Sequence, residues 1–312
     1  MKERYYSKVI LFGEYSMIFD STALMVPLRQ FSAQWRFASH LLAQGAAASN
    51  ASLQRFAEYL STLNGIKDNL DLQRFNHELY YNLFLDSNVP SGYGLGSSGT
   101  LVAAVYDAYA KKKIDDYLKL KEIFGKMESY FHGSSSGIDP LQCYLGKPFK
   151  ITPNGVELLS DGFLKKDIRI CLIDTKIKSN TKPLVNHFKA QRENPAFLNR
   201  FQSEYVPCVT SCINSMINND KDLFFKSLNQ LTKGQLDFLR PMITDNTLDL
   251  FTADYDFNFG VKISGSGGGG YVLGFTDDVG KTNKLLGFEG IDSNRAGLAR
   301  NDMPSKFDVI WL

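Results

Sequence analysis

Between residues 31 and 37 the chain alternates strictly, with Phe31, Ala33, Trp35 and Phe37 set against polar neighbours. A period of two predicts a half-buried strand. Two continuous apolar runs precede it, residues 8–12 (Lys-Val-Ile-Leu-Phe) and 23–28, and both read as extended. The small, polar stretch 43–52 reads as a surface loop. Leu53, Phe56, Ala57, Leu60 and Leu63 then fall on one face of a helix over 52–64. Residues 79–85 (Leu-Tyr-Tyr-Asn-Leu-Phe-Leu) read as a strand leading into the glycine-rich stretch 90–100, Pro-Ser-Gly-Tyr-Gly-Leu-Gly-Ser-Ser-Gly-Thr. Leu101, Val102, Val105, Tyr106 and Tyr109 predict a helix directly after it.

Further on, Leu118, Ile123, Phe124 and Met127 predict a helix over 117–131, followed by a polar loop, 132–140. Asn154-Gly155 predicts a hairpin over 149–159. Residues 168–175 read as a buried strand, near which a domain boundary is expected: domains 1–165 and 166–312. Residues 180–250 are helical in pattern, with breaks expected at Pro183, Pro195 and Pro207. A strand, a glycine turn and a strand over 260–275, a helix over 278–286 and a strand over 307–312 complete the chain. Strand pairs alternating with helices predict an α+β fold.

The 312 residues are 44% hydrophobic and 22% charged, enough for one large domain or two ordinary ones. A net charge of +2 argues against a dedicated nucleic-acid binder. Lys111, Lys112 and Lys113 read as complements to a helix C-terminal dipole rather than as a basic patch. Cys143, Cys171, Cys208 and Cys212 form no C-x-x-C pair and read as reduced thiols. No signal peptide and no membrane-spanning run is expected, so the expected location is cytoplasmic, where the Asn50-Ala-Ser52 glycosylation pattern would go unused.

The chemistry centres on residues 90–100. Gly92, Gly94, Gly96 and Gly99 let the backbone approach a ligand, and Ser97, Ser98 and Thr100 open a helix. Unpaired N–H groups and a positive dipole end there favour an anion, above all phosphate. Residues 94–99 and 265–270 each satisfy G-x-G-x-x-G, but no acid closes a following strand as a dinucleotide site needs. The V-A-I-K, H-R-D and D-F-G sequences of protein kinases and the Walker phosphate loop are also missing.

Three separated stretches resemble the galactokinase–homoserine kinase–mevalonate kinase–phosphomevalonate kinase (GHMP) superfamily. They are residues 8–15 (Lys-Val-Ile-Leu-Phe-Gly-Glu-Tyr), residues 90–100 with the pattern P-x-x-x-G-L-G-S-S, and residues 262–270 (Lys-Ile-Ser-Gly-Ser-Gly-Gly-Gly-Gly). Glu128 followed by His132-Gly-x-x-Ser136-Gly-Ile-Asp139 is most similar to the mevalonate kinases. Gly13-Glu14-Tyr15 and the 94–99 loop look more like the phosphomevalonate kinases.

The resemblance implies an N-terminal domain like domain 2 of ribosomal protein S5, a ferredoxin-like C-terminal domain, and ATP bound in the cleft that they form. It implies ATP- and Mg²⁺-dependent phosphorylation of a small-molecule alcohol, by a monomer or homodimer. Asp139 would be the general base, with Lys8 stabilising charge on the transferring phosphoryl group. The plainer reading of Asp139 is an N-cap to a helix begun by Pro140, and of Lys8 an exposed strand-edge lysine. Pro90, Gly92, Gly94, Leu95, Gly96, Ser97, Ser98, Gly99 and Thr100 would wrap the phosphates. Ser98 and Glu128 would hold Mg²⁺, or else be a helix-start hydroxyl and a solvated acid. Glu14, Tyr15, His132, Ser136, Gly265, Ser266 and Gly267 would face the acceptor; the last three could equally be a plain hairpin turn. A phosphorylated acceptor would need cations, for which Arg29, Lys182, Arg192 and Lys262 are available. The rival reading is a catalytically silent nucleotide sensor, with a dinucleotide-dependent dehydrogenase more distant.

Overall fold

The computed structural model describes residues 2–19, 21–38, 44–160, 162–164, 167–287 and 307–312. The chain divides into two compact units: Met1–Val9, Leu24–Ser91 and Leu95–Ser160 form the first, and Ile10–Ala23, Gly92–Gly94 and Asp161–Leu312 the second.

The first unit holds a sheet in the order β1 (Tyr5–Phe12), β2 (Ala23–Phe37), β4 (Phe149–Thr152), β5 (Gly155–Leu158), with β3 (Leu83–Ser87) also paired to β2. The last three residues of β1 and the first of β2 count with the second unit. The two apolar runs at 23–28 and 31–37 are one strand, because Pro27 and the polar residues 29–30 interrupt the pattern without breaking the extended backbone. Pairing of Trp35 with Leu85 and Ala33 with Ser87 sets the β2–β3 register.

Among the described residues, five helices complete this unit: α1 (Gln44–Thr62), α2 (Leu72–Tyr80), α3 (Ser97–Tyr109), α4 (Tyr117–His132) and α5 (Ile138–Leu145). Helices α3, α4 and α5 pack on one another around the fully buried Val102, Val105, Phe124, Met127 and Leu141. Helix α1 corrects the loop expected at 43–52. Residues 46–48 are alanines, the best helix formers, and Asn50 is buried, donating its side-chain amide to Leu79 O and Leu83 O at 2.9 and 2.6 Å. Leu79 and Tyr80 end α2 instead of opening a strand. Lys113 reaches the buried Asp107 carboxylate at 2.5 Å rather than a helix terminus.

In the second unit an antiparallel sheet runs β7 (Phe259–Ile263), β8 (Tyr271–Thr276), β6 (Arg169–Asp174), β9 (Val309–Trp311). Helices α6 (Thr181–Arg192), α7 (Pro195–Arg200), α8 (Val206–Asn218), α9 (Lys221–Phe238), α10 (Leu248–Thr252) and α11 (Val279–Leu285) accompany it. Helix α9 packs on α8 and on β7. Phe12 enters this core, stacked 5.4 Å from Phe275 and edge-on to Phe224 at 6.0 Å. Pro195 opens α7, but Pro183 and Pro207 break nothing. Pro183 lies in the first turn of its helix, where a proline lacks no needed hydrogen bond, and Pro207 stands just after a π-helical turn, Phe201–Tyr205, that carries the helical backbone directly into α8. All four cysteines are free thiols, three of them buried. No helix among the described residues is long and apolar enough to cross a membrane.

Candidate active site

Within the first unit, Lys8 on β1 reaches Asp139 in the first turn of α5, with Nζ 2.8 Å from Oδ2. The lysine is 2% exposed. Helix α5 begins one residue before Asp139 and its N-cap is Gly137, with no side-chain cap. The capping reading of Asp139 is therefore excluded, and its carboxylate faces a buried cation. Lys8, although β1 ends the sheet order, is buried and so is no exposed strand-edge lysine.

Two glycines of the 90–100 loop permit this arrangement. A Cβ on Gly96 would meet Lys8 Cγ at 3.0 Å, and one on Gly99 would meet the Asp139 carbonyl carbon at 3.0 Å. Gly96, at φ 78°, is also the N-cap of α3 and offers no side chain to the helix start. The first N–H groups of a 13-residue helix are thus left without a side-chain cap, the condition for holding an anion. Lys8 N–H donates to Leu95 O at 3.2 Å, and the Thr100 hydroxyl to Gly96 O at 2.6 Å, fixing the loop from both ends. Pro90 belongs to this unit and is half-buried.

Beside it, Ser98 Oγ donates to Glu128 Oε1 at 2.8 Å and lies 3.0 Å from His132 Nε2. Ser135 Oγ donates to Glu128 Oε2 at 2.5 Å. Glu128 is 4% exposed, so it is no solvated acid. Burial, then the neighbouring Asp139 charge, push its carboxyl up to about 7, against the pull of Ser135, Ser98 and Lys8. A divalent cation here would reverse that push. One carboxylate and one hydroxyl are a suitable hard-oxygen set for Mg²⁺, which keeps waters and takes further ligands from phosphates. Among the described residues no larger cluster of His, Cys, Asp and Glu could hold a metal. Ser136 is exposed and its hydroxyl only approaches Ile138 N–H, at 3.5 Å.

A cavity of about 760 Å³ adjoins this cluster, with Ser49, Phe84, Val89, Ser97, Leu101 and Phe131 in its lining. Its α1 wall falls in the stretch that the sequence presents as a loop. Ser135 has no signal in the sequence either, since its contact with Glu128 depends on how α4 meets the following turn.

The second unit gathers the other expected residues. Glu14, 6% exposed, accepts from Lys262 Nζ at 2.6 Å, and burial holds the Lys262 ammonium below the usual lysine range despite the Glu14 charge. Tyr15 adopts φ 60°. Its hydroxyl donates to Ser266 O at 2.7 Å and its ring packs 4.7 Å from Phe188. Residues 265–270 join β7 to β8, so the hairpin reading is correct, and a Cβ on Gly265 would stand 4.0 Å from the Gly94 Cα. The Gly267 carbonyl accepts from Ser179 Oγ at 2.6 Å. Of the four cations considered for a phosphorylated acceptor, Lys262 is engaged by Glu14, Arg29 stacks 5.4 Å over Tyr6, and Arg192 pairs with Glu193. Lys182 is exposed in the first turn of α6.

Residues 53–147 match the family model for the GHMP kinases N terminal domain. That stretch of the chain is a GHMP kinase N-terminal domain. The chain's relatives include the mevalonate kinases of Dictyostelium discoideum and Thermococcus sibiricus. The first is 23% identical over 62% of this chain and the second 26% identical over 85% of it. The alignments span 57% and 85% of those proteins. Among solved structures, the Leishmania major mevalonate kinase in complex with R-mevalonate has a TM-score of 0.63 at 16% identity, covering 92% of this chain and 90% of that one. The Streptococcus pneumoniae phosphomevalonate kinase in complex with phosphomevalonate and AMPPNP has a TM-score of 0.62 at 16% identity, covering 91% and 94%. These likenesses give the GHMP kinase fold, with mixed α and β content.

Proposed function

We propose that this protein transfers the terminal phosphoryl group of ATP to the hydroxyl of mevalonate, a carboxylate-bearing alcohol, giving phosphomevalonate and ADP. The observation that carries the reading is the pairing of the buried Lys8 with the half-buried Asp139, packed through Gly96 and Gly99 against the uncapped start of α3. A carboxylate with one oxygen on a lysine retains another to accept a proton.

In this reading the α3 N–H groups and the glycine-rich loop hold the phosphates, and the adjoining cavity takes the nucleoside. Asp139 accepts the acceptor's hydroxyl proton as the new O–P bond forms and the bond to ADP breaks. Lys8 holds Asp139 in place and stabilises negative charge on the transferring group. Ser98 and Glu128 would hold Mg²⁺, which supplies charge neutralisation at the phosphates. The first unit then corresponds to the S5-like domain and the second to the ferredoxin-like one, with the functional division near residue 165. Within the second unit, Glu14 and Tyr15, ordered by Lys262 and Ser266, remain the candidate acceptor-facing residues.

Phosphomevalonate is the second reading. The Gly-Glu-Tyr sequence and the exposed Lys182, a cation available for a second phosphate, favour it.

ADP release measured with Mg²⁺-ATP against mevalonate, phosphomevalonate and a panel of sugars and amino-acid alcohols tests both, with products identified by phosphorus NMR. Turnover of mevalonate that is lost in Asp139→Asn is the expected result. Turnover of phosphomevalonate alone moves the assignment to the second reading. ATP binding without turnover on any acceptor would sink both in favour of a sensor.

A further inference from the structure

His132 is the last residue of α4, four residues after Glu128, so the two side chains leave the same face of the helix. Gly133 caps that end at φ 75° and turns the chain away at once. Both side chains converge on Ser98, the second residue of α3: its Oγ lies 2.8 Å from Glu128 Oε1 and 3.0 Å from His132 Nε2. All three residues belong to the first unit. His132 also lines the cavity of about 760 Å³, together with Ser97 and Ser98. The imidazole is exposed, so a helix end on the surface delivers a ring nitrogen to a half-buried hydroxyl.

The protons available fix the direction of each contact. A serine hydroxyl has one proton and two lone pairs, and an ionised carboxylate only accepts. With Glu128 ionised, as a bound cation favours, the Ser98 proton goes to Oε1. No proton then remains for His132, so the ring donates through Nε2–H, in its neutral or its cationic form alike. That bond occupies one lone pair of Oγ and leaves the other. Glu128 is held from its far side as well, because Ser135 Oγ donates to Oε2 at 2.5 Å. Ser135, Glu128, Ser98 and His132 thus form a line of hydrogen bonds that all run toward Glu128.

We propose that His132 is a positioning residue of the cation site: its Nε2–H holds the Ser98 hydroxyl with the proton on Glu128 and one lone pair free for Mg²⁺. This rests on the reading of Ser98 and Glu128 as cation ligands given above. It moves His132 from the acceptor side, where the resemblance put it, to the support of the metal. A hydrogen bond behind a ligand orients that ligand and typically changes metal affinity by about 10–100-fold.

The test uses the full chain and compares His132→Phe, which keeps a ring and removes the donor, with His132→Gln, whose amide keeps a donor at a similar reach. Binding of Mn²⁺ to the protein–ADP complex is followed by electron paramagnetic resonance, alongside ADP affinity without metal, KM for the acceptor and melting temperature. His132→Phe is expected to weaken Mn²⁺ binding about tenfold and to raise the Mg²⁺ concentration for half-maximal rate by a similar factor. His132→Gln should restore most of the metal affinity. Melting temperature and metal-free ADP affinity should match wild type, since the ring is exposed. Unchanged Mn²⁺ affinity in His132→Phe would overturn the proposal. So would an equal loss in His132→Gln, which would make the ring's packing the cause, or a rise in acceptor KM alone, which would return His132 to the acceptor side. A parallel loss of metal-free ADP affinity would make His132 a direct nucleotide contact instead. Wild-type Mn²⁺ affinity in Ser98→Ala and Glu128→Gln would overturn the cation-site reading itself, an outcome distinct from a site that needs those two residues and ignores His132.

Discussion

Asp139 and Glu128 are two carboxylates in one cluster with different surroundings. Asp139 has a buried lysine 2.8 Å away; Glu128 has two hydroxyls, and burial and then its carboxylate neighbour push its proton affinity up. The pair divides into a base candidate and a cation-ligand candidate on those grounds. Asp139→Asn keeps the shape and removes the base. It is expected to lower kcat by about 10²–10⁴-fold with little change in ATP affinity, checked by steady-state kinetics beside nucleotide titration. A second residue-scale expectation concerns Lys262 and Glu14, both almost fully buried and paired. Lys262→Met leaves an unpaired buried carboxylate and should destabilise by about 3–5 kcal/mol in urea unfolding. Adding Glu14→Gln should recover part of that loss, because the stranded charge is then gone. These residues were legible in the sequence as motif members. Their partners were less so: Ser135, which holds the second oxygen of Glu128, depends on a contact that no local spacing encodes.

Elements were legible wherever periodicity and capping agreed. The 149–159 hairpin, the helix over 117–131 and the two strands flanking residues 264–270 follow their patterns, because each combines a clear period with a turn or cap signal. Helix α1 was hidden, since a Gly-Ala-Ala-Ala-Ser-Asn run has little apolar amplitude even though alanine favours helix strongly. The prolines at 183 and 207 misled for a complementary reason: the turn in which each stands decides its effect, the first turn of α6 for Pro183 and the end of a π-helical turn for Pro207, and sequence alone did not locate those turns. At this scale the packing of α3 on α5 is the testable contact. Gly99→Ala places a methyl 3.0 Å from the Asp139 carbonyl carbon and the Pro140 nitrogen, backbone atoms that cannot swing aside. The expected outcome is a loss of about 1–3 kcal/mol in stability, with a fall in kcat as Asp139 is displaced. Gly94→Ala is the comparison. Its Cβ would meet nothing within 4 Å, so only the positive φ of 71° penalises it, by about 1–2 kcal/mol.

For the molecule as a whole, acid stability turns on groups that tie distant parts of the chain together, and Asp107 on α3 is the clearest. Its carboxylate accepts from Lys2 N–H at 2.8 Å, from the Tyr5 hydroxyl at 2.8 Å and from Lys113 Nζ at 2.5 Å, joining the chain start and β1 to the end of α3. Burial raises its proton affinity, but the hydrogen bonds from Lys113, Lys2 and Tyr5 outweigh burial, and the carboxyl lies below its ordinary value of 3.8. The unfolded chain therefore binds this proton more readily than the folded one. The stabilisation is fully present above the unfolded value and is lost as pH falls through the lower, folded value. Asp107→Asn replaces a charged acceptor with a neutral one that also carries donors, facing three donors. It should lower stability at pH 7 by about 2 kcal/mol and flatten the fall in melting temperature on acidification below about pH 4. Melting curves of the two proteins from pH 7 to pH 2.5 check this. Parallel curves, offset but equally steep in acid, would mean that Asp107 serves as a packing group whose charge does not matter, and the acid sensitivity would then have to be sought in other carboxylates.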